Sequence, residues 1–67
     1  MKIIGVDVGG TTISAGLVHE GHITRQSDLP TPFDRPQFEV VQAVIQSIEE
    51  VFDPSVRGIG IGVPGLV

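Results

Sequence analysis

Apolar and polar positions along the chain fall into distinct rhythms. Ile3, Ile4, Val6 and Val8 crowd one short run, so Lys2 to Val8 reads as a strand buried on both faces. Thr12 to His19 alternates instead. Ile13, Ala15 and Leu17 take one face, while Thr12, Ser14, Gly16 and Val18 take the other, which is the pattern of a half-buried strand. Glu20-Gly21 is a turn signal, and His22 to Leu29 reads as a third, more polar strand. Pro30, Pro32 and Pro36 mark a loop, because proline brings no N–H to a ladder. Phe38, Val41, Val44/Ile45, Ile48 and Val51/Phe52 then recur at helical spacing and predict an amphipathic helix with that stripe in the core. Pro36 suits its first turn, Asp34 suits a cap or an N-terminal charge, and Asp53-Pro54 ends it. Last, Ile59, Ile61 and Val63 alternate with Gly58, Gly60 and Gly62, so Arg57 to Pro64 is a strand with something packed close to its glycine face. Two hairpins followed by a helix crossover predict β-β-β-α-β in a mixed sheet, the last strand parallel to an earlier one.

Composition narrows the class. A chain of 67 residues is one small α/β unit with a limited core, and without Cys it has neither a disulfide nor a thiolate metal site to reinforce it. Eight acidic residues against four basic ones leave a net charge of −4, which opposes nucleic-acid binding. No apolar run reaches the length of a membrane span, and Asp7 with the glycines interrupts the N-terminal one, so a soluble, cytoplasmic chain that does not engage a membrane is expected.

The chemistry concentrates in Asp7-Val8-Gly9-Gly10-Thr11-Thr12. Two glycines let backbone N–H groups face an anion, and the threonine hydroxyls add donors for phosphate oxygens. A carboxylate beside phosphate requires a cation between them, so Asp7 reads as a magnesium ligand, direct or through water. The competing reading is a hairpin that merely needs glycine. Asp7 argues against it, since an unpaired acid closing an apolar strand is costly.

This loop, followed by Ile13-Ser14-Ala15-Gly16-Leu17-Val18, resembles the first phosphate motif of the ROK family of bacterial sugar kinases and sugar-responsive repressors. Gly60-Ile61-Gly62-Val63-Pro64-Gly65-Leu66-Val67 resembles the next motif of that family, in the same order and after the same helix. The resemblance implies a partial ribonuclease H-like, actin-like ATPase domain. It implies that residues 1–67 are the N-terminal part of the first domain, a fragment of a longer protein. It further implies ATP and Mg2+ as cofactors and a hexose or N-acetylhexosamine as substrate. Gly10, Thr11 and Thr12 would contact ATP phosphates, Gly9 would shape the loop, Asp7 would help hold magnesium, and Gly65 would lie near the sugar. The catalytic base, an aspartate of an Asn-Asp pair, belongs beyond this region in the family pattern, so no catalytic residue is assigned here and the chain alone is expected to be inactive. Many members carry Lys or Asn where Thr12 stands.

Alternatives remain. A repressor of the same family would carry a DNA-binding segment before the phosphate motif. A non-enzymatic module would associate through its uncovered sheet, and a homo-oligomer is expected on that ground. The formal G-x-G-x-x-G from Gly60 to Gly65 contains Pro64 and lacks the helix start a dinucleotide needs, and no P-loop is present. His19 and His22 flank the Glu20-Gly21 turn and read as solvent-exposed turn residues.

Overall fold

The computed structural model describes residues 1–63. Three strands, β1 (Lys2–Val8), β2 (Thr12–His19) and β3 (His22–Pro30), precede one helix, α1 (Gln37–Val51), and a fourth strand, β4 (Val56–Gly62). They form one mixed sheet in the order β3-β2-β1-β4, with β1 antiparallel to β2, β2 antiparallel to β3, and β4 parallel to β1. The β-β-β-α-β order expected from the periodicity is the order found.

Local chemistry accounts for the hairpins. Glu20 and Gly21 both hold positive φ (51° and 79°), the pair of left-handed residues a two-residue hairpin loop requires to match strand twist. Pro30 closes β3 rather than opening the loop. It can do so because β3 is an edge strand, where a missing N–H costs no ladder bond. Pro36 is the residue preceding α1 rather than part of its first turn, and no side chain caps the helix, so Asp34 does not play the capping role expected of it. The first turn is held instead by an Arg35–Glu39 pair at 3.2 Å, with Glu39 as its acidic residue.

The core is Ile4, Val6, Ile13, Ala15, Leu17 and Val51, with Val40, Ala43, Val44 and Ile48 packed against it. The expected helix stripe is therefore only half right. Val44, Ile48 and Val51 face the sheet, but Phe38 (61% exposed), Val41 (53%) and Ile45 (51%) do not. Ser47 lies in the buried face and donates its hydroxyl to the Val44 carbonyl at 2.7 Å, which removes the cost of placing it there.

The helix covers β1, β2 and β3 on one side and does not reach β4. So β1 is buried on one face, not two: Ile4 and Val6 point to the helix, while Ile3, Gly5 and Asp7 lie on the open face. Asp7 is accordingly exposed, and a buried carboxylate is no argument for its role. The expectation of close packing on the β4 glycines is also not met within the described residues. A methyl placed on Gly60 would touch nothing, and one on Gly58 or Gly62 would make only ordinary contacts. On the open face the pairing aligns Gly60, Gly5 and Gly16 in one row across three strands. Asp7, Ser14, Val18, Ile23 and Gln26 line the resulting trough.

Candidate phosphate-binding loop

Gly9 to Thr12 joins β1 to β2 at the end of the sheet where β1 terminates. The Gly9 N–H donates to the Thr12 carbonyl at 2.9 Å, which closes the loop. That closure explains the first glycine by contact. A Cβ on Gly9 would lie 2.9 Å from the same carbonyl oxygen, whereas a Cβ on Gly10 would meet nothing. Gly10 and Thr11 lie outside the strands, and among the described residues their N–H groups find no protein acceptor. Gly10, Thr11 and Thr12 are exposed. The loop thus presents free backbone donors beside two hydroxyl side chains, the donor set that suits an anion.

The alternation of β2 puts Thr12 on the open face with Ser14, and the register pairs Ser14 with Asp7. Thr12 and Asp7 consequently share a face next to the loop. Among the described residues Asp7 accepts no side-chain hydrogen bond and enters no ion pair. No group of three His, Cys, Asp or Glu side chains converges on a metal among those residues. One free carboxylate beside phosphate-type donors still fits magnesium, which takes one or two protein carboxylates and fills its shell with water and phosphate oxygens. On the far side of Ser14 in the same row, Asp28 is already engaged by the Ser14 hydroxyl at 2.7 Å and by Gln26. Gly65, expected near a sugar, lies outside the described residues.

Thr31 belongs to this site and was not among the residues singled out from the sequence. It is buried just past β3, donates its hydroxyl to the Gly9 carbonyl at 2.8 Å, and donates its N–H to the Thr11 carbonyl at 2.9 Å. A signal was present: a lone hydroxyl residue between Pro30 and Pro32, supplying the one N–H of that triplet.

Comparison with known proteins follows the same outline. The ROK family model matches residues 3–67. The glucokinase of Thermotoga maritima is 39% identical over the whole of this chain, which covers 22% of that protein. An N-acetylmannosamine kinase of Vibrio cholerae is 31% identical over the whole chain, covering 23% of it. Among solved structures, a ROK family glucokinase from Streptomyces griseus in complex with glucose and AMPPNP superposes on 97% of this chain at 35% identity and a TM-score of 0.82, and the match covers 21% of that chain. A ROK hexokinase from Thermus thermophilus matches 97% of this chain at 34% identity and a TM-score of 0.71. The four-stranded mixed sheet with one helix corresponds to the N-terminal part of the actin-like ATPase fold in these neighbours. The chain spans between a fifth and a quarter of the length of the relatives it matches.

Proposed function

This chain belongs to the ROK family, and from that premise we propose that it carries the first phosphate-binding loop of an ATP-dependent kinase acting on a hexose or N-acetylhexosamine. The observation that carries the reading is the pair of unengaged N–H groups at Gly10 and Thr11, set beside the Thr11 and Thr12 side chains and next to Asp7. Phosphoryl transfer depends chiefly on positioning and charge neutralisation, and this loop offers both. Gly10, Thr11 and Thr12 hold phosphate oxygens, and Gly9 sets the close turn that aims them. Asp7 holds magnesium directly or through water, and the bound cation neutralises charge on the phosphates. Gly65, outside the described residues, is assigned to the sugar side of the site on the family motif alone. Residues 1–67 form the N-terminal part of the first ATPase domain, and the base that deprotonates the sugar hydroxyl comes from elsewhere in the protein. A cytoplasmic location is in keeping with a kinase that uses ATP, and among the described residues no helix is long and apolar enough to cross a membrane. The names of the relatives, glucokinase and N-acetylmannosamine kinase, support the substrate class.

The test is sugar-dependent ADP release by the full-length protein with glucose and with N-acetylmannosamine. Asp7→Asn is expected to lower the magnesium-dependent rate by about 10- to 100-fold. Wild-type protein inert toward both sugars, or an Asp7→Asn variant of undiminished rate, overturns the assignment. The 67-residue chain by itself is expected to release no ADP above background.

A further inference from the structure

Thr31 touches the loop through both its hydroxyl and its N–H, and these two bonds have a geometric consequence. In a trans peptide the C=O of one residue and the N–H of the next point in opposite directions. The Gly9 carbonyl shares its peptide plane with the Gly10 N–H. The Thr11 carbonyl shares its plane with the Thr12 N–H. Thr31 takes both carbonyls: its hydroxyl holds that of Gly9 at 2.8 Å and its own N–H holds that of Thr11 at 2.9 Å. With the two carbonyls turned toward Thr31, the Gly10 and Thr12 N–H groups must turn away from it.

We propose that Thr31 is the positioning residue of the phosphate loop, fixing the two peptide planes that flank the Gly10–Thr11 peptide so that the unengaged Gly10 N–H is aimed at the ligand before it arrives. This rests on the reading of Gly9 to Thr12 as a phosphate loop and adds the residue that orients it. The surroundings of Thr31 suit the task. Pro30 and Pro32 on either side restrict φ, and the Phe33 N–H returns to the Thr31 carbonyl at 2.8 Å, so the segment is stiff. Thr31 is itself buried, so its hydroxyl bond is shielded from water. A glycine pair is otherwise free to rotate its peptide planes, and disorder there would be lost on binding at the expense of affinity.

The experiment uses the full-length protein and compares Thr31→Val, which keeps shape and N–H but loses the hydroxyl, with Thr31→Ser, which keeps the hydroxyl. Binding of AMPPNP with magnesium is measured by calorimetry, and KM is measured for ATP and for the sugar. Thr31→Val is expected to weaken AMPPNP and raise the ATP KM by about five- to tenfold, the loss of one hydrogen bond. The sugar KM is expected to stay within about twofold, and Thr31→Ser to recover most of the ATP affinity. A merely structural role would lower the melting temperature and the active fraction and leave the ATP KM unchanged, and that result overturns the proposal. Should Thr31→Val not fold, Thr31→Ala is judged by the same criteria. A wild-type protein that does not bind AMPPNP overturns the phosphate-loop reading itself. A wild type that binds, with a Thr31→Val variant that binds equally well, overturns only the role of Thr31.

Discussion

Asp53 accepts a hydrogen bond from the Ser55 hydroxyl at 2.6 Å and another from the Ser55 N–H at 2.8 Å, and it pairs with the Lys2 ammonium at 3.0 Å. These contacts tie the end of α1 to the start of β1 and hold the Asp53 carboxyl well below the usual carboxylate range, the Ser55 hydroxyl first and Lys2 after it. A depressed folded-state pKa contributes stability above the unfolded value, near ~3.9, and loses it as pH falls through the folded value. Acid sensitivity from this group therefore lies below about pH 4, and Asp53→Asn is expected to flatten the stability curve there. Both partners are separately testable by NMR titration of the carboxyl carbon: Ser55→Ala and Lys2→Met should each raise the Asp53 pKa, and a variant that leaves it unmoved would refute this account. Of the residues that bear on the phosphate loop, Asp7, Gly9, Gly10, Thr11 and Thr12 were legible in the sequence because they are contiguous. Thr31 stood out only as a lone hydroxyl between two prolines, and its link to the loop was not legible, because its partner Gly9 lies 22 residues away.

Helix α1 is apolar on more than one stripe, and periodicity alone does not choose between them. Packing does. Val40, Ala43, Val44, Ile48 and Val51 meet the sheet, while Phe38, Val41 and Ile45 stay outward. The rotation is pinned from the middle of β3. Ser27 donates its hydroxyl to Glu50, and Arg25 donates to the Phe52 carbonyl at 3.2 Å, where the helix has ended. Urea unfolding of the chain at one low protein concentration tests the orientation. Val51→Ala is expected to cost about 2 kcal/mol, whereas Ile45→Ala should stay within about 0.5 kcal/mol. A larger loss at Ile45 would place the other stripe in the core. Strand β3 holds a comparable surprise. Its pairing shifts between Leu17 and Val18, so Thr24 is the extra residue, and its hydroxyl donates to the Leu17 carbonyl at 3.2 Å. The bulge turns Ile23 onto the open face beside Gly16, where simple alternation from Arg25 would have placed it under the helix.

As a whole the molecule has one covered sheet face and one bare one. Ile3 and Ile23 lie on the bare face, and Ile59 and Ile61, though aligned with Ile4 and Val6, extend past the edge of the helix. β4 is also an unpaired strand edge among the described residues. Apolar surface beside an open edge favours association between copies, so light scattering of the isolated chain is expected to report a mass above its 7.1 kDa, with Ile61→Lys moving it back toward that value. A wild-type monomer would refute this. The sequence by itself determined the order of the elements, the Glu20-Gly21 hairpin, and the Asp-Gly-Gly-Thr-Thr loop. Periodicity and turn chemistry are decided by neighbours a few residues apart, and both survive whatever the rest of the chain does. Only the tertiary structure decided which stripe of α1 is buried, that β1 is covered on one side, that β3 bulges at Thr24, and that Thr31 holds the loop. Each of those depends on where elements distant in sequence come to rest against one another, which no local pattern encodes.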